Sequence, residues 1–183
     1  MDAGSCRVSR VLGYSLILNV RIGATWHHAE IWPEVAGLID LVIREQRLSI
    51  PGVGVGDPVS FSFAGRARTA DTKGWWPDNY LRVGVNSATG YGGLVWYVSP
   101  KRAQASGDEK SQWCWVSDNP TPPDFDPQVL SDPGSPLCYD RRSALPVPRV
   151  REALEEFCRT GTGDRPECIN WLRGEINGER WAE

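Results

Sequence analysis

The segment YLRVGVNSATGYGGLVWYVS, residues 80–99, indicates the fold of this 183-residue chain most directly. Apolar side chains recur at every second position on both sides of a Gly-rich centre: Leu81, Val83 and Val85, then Leu94, Trp96 and Val98. The turn-forming stretch SATGYGG separates the two halves. The pattern predicts two antiparallel strands, 80–86 and 93–99, each with one buried face.

Further strands are predicted on both sides of this hairpin. Residues 14–22, 59–63 and 112–118 show the same period of two, and 165–172 is a candidate for a short final strand. In the third of these, Trp113 and Trp115 share one face. Because the strands follow one another with no crossover helix between most of them, we expect an antiparallel sheet of about five to six strands.

Two main helices are predicted, and both are amphipathic. The first begins near Pro33 and ends near Arg47, and the second begins at Pro148 and ends before Gly161. The stretches PGVGVGDP at 51–58 and KRAQASGDEKS at 101–111 are expected to be loops. The expected fold is therefore α+β, a single domain over 1–183 with both helices packed on one face of the sheet.

The charge of the chain is concentrated in one segment. The formal net charge is -3, but residues 114–140 contain five Asp and no Lys or Arg. A nucleic-acid-binding protein would show a clustered basic stripe instead, so direct binding of nucleic acid is not expected. No apolar run approaches the ~20 residues that a membrane-spanning helix needs.

The acidic segment is also rich in proline, with six prolines between 118 and 136, so we expect a surface loop there. Its Asp residues surround apolar Phe125 and Leu130 on a stiff backbone, an arrangement that suits a basic partner surface. The alternative is that these Asp residues form turns and that Phe125 attaches the loop to its own domain. Outside this segment, the adjacent Trp75 and Trp76 cannot both face one core if the local chain is extended.

Sequence motifs for catalysis are incomplete. His28-Ala29-Glu30 matches the H-x-E half of the zinc deaminase signature, but the second half needs P-C-x-x-C, and the nearest stretch is Pro166-Glu167-Cys168. We therefore expect no catalytic residue, metal ligand or cofactor. The five Cys contain no C-x-x-C pair, which favours free thiols in a reducing cytoplasm. Residues 7–18 look superficially like a signal peptide, but Asn19 and Arg21 interrupt the apolar run and favour a strand.

The last third of the chain resembles the first-numbered immunity-protein family of bacterial polymorphic toxin systems. The resemblance rests on the order and spacing of these residues: Leu145, Pro146, Ala153, Leu154, Glu156, Phe157, Gly161, Arg165, Pro166 and Trp171. Gly92-Gly93-Leu94 and the later VSDNP add to it upstream, and the similarity covers about 35–172. The ends 1–13 and 173–183 and the loop 118–136 depart from a minimal member.

The resemblance implies an α+β immunity protein that binds a toxin domain, commonly a nucleic-acid (cytosine) deaminase, and blocks its active site. We interpret Leu145, Pro146, Glu156, Phe157, Gly161, Arg165, Pro166 and Trp171 as structural. The residues expected to contact the toxin are Asp118, Asp124, Phe125, Asp126, Asp132, Trp75 and Trp76. Two alternatives stay open: a divergent zinc hydrolase or deaminase using His28 and Glu30, and a carbohydrate-binding module using exposed Trp side chains.

Overall fold

The computed structural model describes residues 10–11, 14–44, 49–52, 54–55, 58–72, 74–107, 114–132 and 134–181. Its strands are β1 (Arg10–Val11), β2 (Tyr14–Ser15), β3 (Ile17–Ile22), β4 (Thr25–Ala29), β5 (Ser49–Ile50), β6 (Gly54–Val55), β7 (Val59–Ala64), β8 (Asn79–Asn86), β9 (Tyr91–Val98), β10 (Cys114–Asp118), β11 (Leu130–Asp132), β12 (Leu137–Cys138), β13 (Leu145–Pro146) and β14 (Asn170–Arg173). Its helices are α1 (Trp32–Arg44), α2 (Pro100–Ser106) and α3 (Val147–Thr160).

The central sheet is antiparallel, in the order β14-β10-β9-β8-β7-β3-β4, with β13 pairing alongside β9. The hairpin predicted at residues 80–99 is confirmed, since Leu81 lies opposite Trp96 and Val83 opposite Leu94. The α+β class is confirmed as well. The expected five to six strands are too few, because the sheet in the described residues has eight.

The two strands of this sheet that were not expected are β4 and β13. The strand expected at 14–22 is divided at Leu16 into β2 and β3, and β3 continues through a tight turn into β4. The two-residue β13 is too short to show a period of two. The described residues also contain a third helix, α2, where a loop was expected at 101–111. Ser99 begins it by accepting a hydrogen bond from the backbone N–H of Arg102, and Pro100 occupies its first turn.

Helices α1 and α3 cover one face of the sheet and form the main core with it. Their buried residues are Val35, Ile39, Val42 and Ile43 from α1, and Val150, Ala153, Leu154, Phe157 and Cys158 from α3. Phe157 packs on Phe63 of β7 with ring centroids 5.5 Å apart. Arg151 of α3 forms an ion pair with Asp40 of α1 at 2.6 Å and so joins the helices at the surface.

Two segments of the chain lie over the opposite face of the sheet. Residues 129–132 and 134–139, here called the strap, lie across β8, β9 and β10, and Val129 and Tyr139 pack on Val95, Cys114 and Val116. The expected surface loop at 118–136 is therefore wrong at its end, where Leu130 is fully buried and β11 pairs with β12. The other end of this face, over β3, β4 and β7, lies beyond the strap and is partly covered by residues 66–68, whose main chain bonds to the side chains of Asn19 and His28. We call it the open end.

Within the described ranges, no helix has the length and apolar character that a membrane crossing requires.

Candidate functional site

The acidic segment is partly neutralised by arginines from outside it. Asp118, at the end of β10, pairs with Arg180 at 2.8 Å, and Asp140 pairs with Arg142 at 3.1 Å. The Arg142 hydrogen bond lowers the pKa of Asp140 below its usual value, although partial burial opposes this. Two of the five Asp charges are thus engaged within the protein, and Asp118 is a weak candidate for contact with a partner.

The exposed part of the acidic segment is the tip formed by residues 124–126. Asp124 and Asp126 are exposed on either side of Phe125, which is itself 45% exposed. Phe125 also meets Tyr91 edge-on with ring centroids 5.7 Å apart. The tip therefore presents two carboxylates and part of one aromatic ring while remaining attached to the sheet.

Asx-type turns shape this segment. The carboxylate of Asp126 accepts a hydrogen bond from the backbone N–H of Gln128 at 2.9 Å, and that of Asp132 accepts one from Gly134 at 2.9 Å. Asp126 is exposed and Asp132 is half-buried. Turn formation and presentation of charge are thus both features of the same residues.

A row of three neighbouring clefts, here called the groove, begins at this tip. An open cleft of ≈ 1150 Å³ is lined by Asp126, Asp140, Glu175 and Glu179 together with Arg141, Arg142 and Arg180. It shares Glu175 and Trp181 with a mainly apolar groove of ≈ 470 Å³ beside α2. That groove shares Tyr97 and Ile176 with a third one of ≈ 540 Å³, which reaches Trp26 and Trp76 at the open end.

Exposed apolar side chains follow this groove. Of the five large hydrophobic residues that are exposed in the described chain, Trp76, Ile176 and Trp181 line it. An exposed apolar strip of this kind is typical of a protein-binding surface. Sequence reasoning missed Ile176 and Trp181, because the tail was treated only as a variable end.

Three tryptophans and three arginines come together at the open end. We call Arg21, Trp26, Arg66, Arg68, Trp75 and Trp76 the Arg-Trp cluster. The guanidinium carbon of Arg68 lies 3.8 Å from the ring centroid of Trp76 and 5.1 Å from that of Trp26. Arg66 lies 4.3 Å from the centroid of Trp75. These are cation-π distances, and they give each arginine an aromatic neighbour.

The main chain at Arg68 is fixed from two sides. Its N–H donates to the side-chain oxygen of Asn19 at 2.6 Å, and its carbonyl accepts a hydrogen bond from Nε2 of His28 at 2.9 Å. His28 lies on β4, and Glu30 follows in the turn before α1. The ring of His28 thus helps to position the main chain at Arg68. Among the described residues there is no group of three or more potential metal ligands.

The residues of the C-terminal signature lie close together around the end of α3. Gly161 ends the helix in a left-handed conformation (φ 66°), and its N–H donates to the carbonyl of Phe157. The carboxylate of Glu156 accepts from the N–H groups of Glu167 and Cys168 at 2.8 and 2.9 Å. Trp171 donates through Nε1 to the carbonyl of Pro166 at 2.7 Å.

The other signature residues lie beside the sheet. Leu145 is buried opposite Gly92, Pro146 precedes α3, and Arg165 stacks over Trp115 at 4.1 Å. Each has a contact within the protein and none lies in the groove described above.

Comparison with known proteins identifies a family. The family model described as "Immunity protein Imm1" matches residues 24–173. No curated protein and no solved structure shows a significant match to the chain.

Proposed function

Because this chain belongs to the Imm1 family of immunity proteins, we propose that it neutralises its cognate toxin by binding the catalytic domain and covering the active site. The chain itself catalyses no reaction in this proposal. The toxin is an enzyme that acts on nucleic acid, most specifically a cytosine deaminase. The acidic tip at 124–126 is the feature that carries this assignment.

Charge complementarity supports that partner. An enzyme that acts on nucleic acid has a basic channel, because it must attract phosphate groups. Asp124 and Asp126 present negative charge at an exposed position, and Phe125 offers an aromatic anchor between them. The tip is continuous with the groove through Asp126, so a toxin domain bound there also reaches Trp181 and Ile176. An interface of standard size would bury about 800 Å² of each partner.

We place this action in the cytoplasm, where the producing cell needs protection. Cys114, Cys158 and Cys168 are free thiols, which is typical of proteins from a reducing compartment.

The charge assignment is tested by the double substitution Asp124→Lys/Asp126→Lys. We expect the association rate with the inactivated toxin domain to fall about tenfold at low salt, because steering by the tip is lost, while the dissociation rate changes little. Stopped-flow binding at two ionic strengths measures both rates. The matched control is Glu152→Lys/Glu167→Lys, which adds the same charge outside the groove. Equal association rates for the two variants would contradict a role for the tip.

The toxin class is tested by expressing the neighbouring toxin gene with and without this chain. A cytosine deaminase leaves uracil in nucleic acid, which sequencing reads as C-to-T changes. We expect such changes without the chain and none with it. Protection from a toxin that leaves no such changes would retain the immunity function and reject the deaminase.

A further inference from the structure

We propose that the Arg-Trp cluster is a second toxin-contacting site, and that it receives an acidic loop of the toxin domain through that loop's carboxylates. This inference rests on the proposed function, because it takes the toxin domain as the occupant of the groove. It assigns opposite chemistry to the two ends of the groove: acidic at the 124–126 tip and basic at the open end.

The charge of the cluster is uncompensated within the described part of the chain. Arg102, Arg142, Arg151 and Arg180 each pair with an Asp carboxylate. Arg21, Arg66 and Arg68 form no such ion pair among the described residues; their side chains face aromatic rings or, for Arg21, the carbonyl of Gly23. Three neighbouring guanidinium groups without a carboxylate favour an anionic partner.

Arg68 provides an independent observation. Only 7% of this residue is exposed, and its Nε and Nη1 atoms have no hydrogen-bond partner in the described structure. A buried N–H group without an acceptor is energetically unfavourable. Burial, with the neighbouring charges of Arg21 and Arg66, lowers the pKa of Arg68 from its usual value. A partner carboxylate bound at the exposed Arg21 and Arg66 would offset the like charges that surround Arg68.

The aromatic residues of the cluster suit a protein partner. Trp76 is 61% exposed and lines the ≈ 540 Å³ groove with Trp26 and Tyr80. Trp and Arg are the residues that most often dominate the energy of protein interfaces. Because Asn19 and His28 already fix the main chain at Arg68, little ordering is needed on binding.

Two substitutions test the proposal on the full chain. In Arg66→Glu an exposed cluster charge is reversed, and in Trp76→Ala an exposed ring is removed, so neither disturbs the core. We expect each to raise the Kd for the inactivated toxin domain about 30-fold, mainly through faster dissociation. The matched control Arg44→Glu makes the same charge change on exposed α1 and should bind like wild type. Thermal unfolding of each variant, monitored by circular dichroism, confirms that the fold is retained.

A charge-reversal pair identifies the contact. If a toxin carboxylate meets the cluster, changing that residue to Lys should weaken binding to wild type and restore binding to Arg66→Glu. If changing each acidic residue of the toxin's contact surface to Lys in turn never restores binding to Arg66→Glu, the proposal is overturned.

The remaining outcomes separate this inference from the proposed function. If the wild-type chain does not bind the toxin domain, the proposed function itself is rejected. Toxin binding with equal Kd values for Arg66→Glu and Arg44→Glu would reject only the cluster. A monomer-dimer change caused by Arg66→Glu would assign the cluster to a second copy of the chain. Tight binding of a fluorescent single-stranded oligonucleotide or a glycan that is lost in Trp76→Ala would assign the cluster to that ligand. Each of these last three results would overturn the assignment of an acidic toxin loop to the cluster.

Discussion

At the residue scale, Gly93 determines how closely the strap approaches the sheet. A Cβ atom on Gly93 would lie 2.5 Å from two ring atoms of Tyr139, which is far inside van der Waals contact. Tyr139 is buried and packs with Val95, Cys114, Val116 and Val129. A side chain at this position would therefore force the ring, and the strap with it, away from β9.

We expect Gly93→Ala to lower the free energy of unfolding by about 1–3 kcal/mol, the usual cost of overpacking a well-packed site. Urea denaturation followed by circular dichroism measures the change. Gly37→Ala is the matched control, because nothing lies within 4 Å of a Cβ atom there and α1 gains a better helix former. If the urea midpoint of unfolding of Gly93→Ala equals that of wild type, the strap can move away from β9 at no cost in stability.

A carboxylate at the end of α3 makes stability depend on pH. Burial by itself would raise the pKa of Glu156, but hydrogen bonds from Cys168 and Glu167 outweigh it, so the pKa lies below its usual value. A carboxyl group whose pKa is depressed by folding stabilises the protein above its unfolded pKa of about 4.3. That stabilisation is lost as the pH falls through the lower, folded-state pKa.

We expect Glu156→Gln to be less stable than wild type at pH 7, with the difference shrinking as the pH falls below about 4. Urea denaturation at a series of pH values measures this difference. Glu167→Gln is the control, because its side chain is exposed and only its backbone N–H is used in the turn. A difference that is constant from pH 7 to pH 3 would contradict the role of the carboxylate charge.

At the scale of elements, strong local patterns were sufficient to predict structure. The β8-β9 hairpin has six alternating apolar residues, and α3 has a complete amphipathic stripe, so both were predicted close to their observed bounds. The predicted end of the first helix near Arg47 lies outside the described residues, and α1 is described as far as Arg44. Trp113, expected to share a face with Trp115, also lies outside them.

Elements that depend on distant contacts could not be predicted. The strap pairs and buries Leu130 only because Gly84 and Gly93, more than 35 positions away, leave room on the sheet. Helix α2 has seven residues and a single buried one, Ala103, so it shows no amphipathic period; its Ser99-Pro100 start was the available signal.

At the scale of the whole molecule, the sheet separates two cores that are expected to unfold together. Cys158 lies in the helix-covered core and Cys114 beneath the strap, and burial raises the pKa of both thiols, that of Cys114 to about 12. Both thiols are therefore unreactive in the folded protein. We expect them to be labelled by a thiol reagent at the same urea concentration, because a small domain unfolds in one cooperative step.

Mass spectrometry of pulse-labelled protein distinguishes the two thiols. Saturating toxin domain should shift both labelling transitions to higher urea, because it binds only the folded chain. Labelling of Cys114 well before Cys158 would show that the strap opens separately.

The candidate site was predictable only in part, because it is assembled from distant segments. The exposed tip at 124–126 is local in sequence, and charge counting found it. The Arg-Trp cluster joins residues 21, 26, 66, 68, 75 and 76 from β3, β4 and the β7-β8 connection, so only Trp75 and Trp76 were singled out beforehand. The register of β3 with β4 and β7 brings these residues together, and the composition of the chain does not determine that register.

The position of these two regions on connecting segments has a consequence for how such a protein diversifies. Trp76 lies between β7 and β8, and Phe125 between β10 and β11, whereas the strands beneath them supply the core. Mutations can therefore accumulate at the exposed positions of either segment without altering the scaffold. A lineage can exchange one recognition segment at a time, keep partial protection against the old toxin and acquire a new specificity stepwise. Transplanting 65–78 and 119–128 between relatives would reveal which segment carries partner identity.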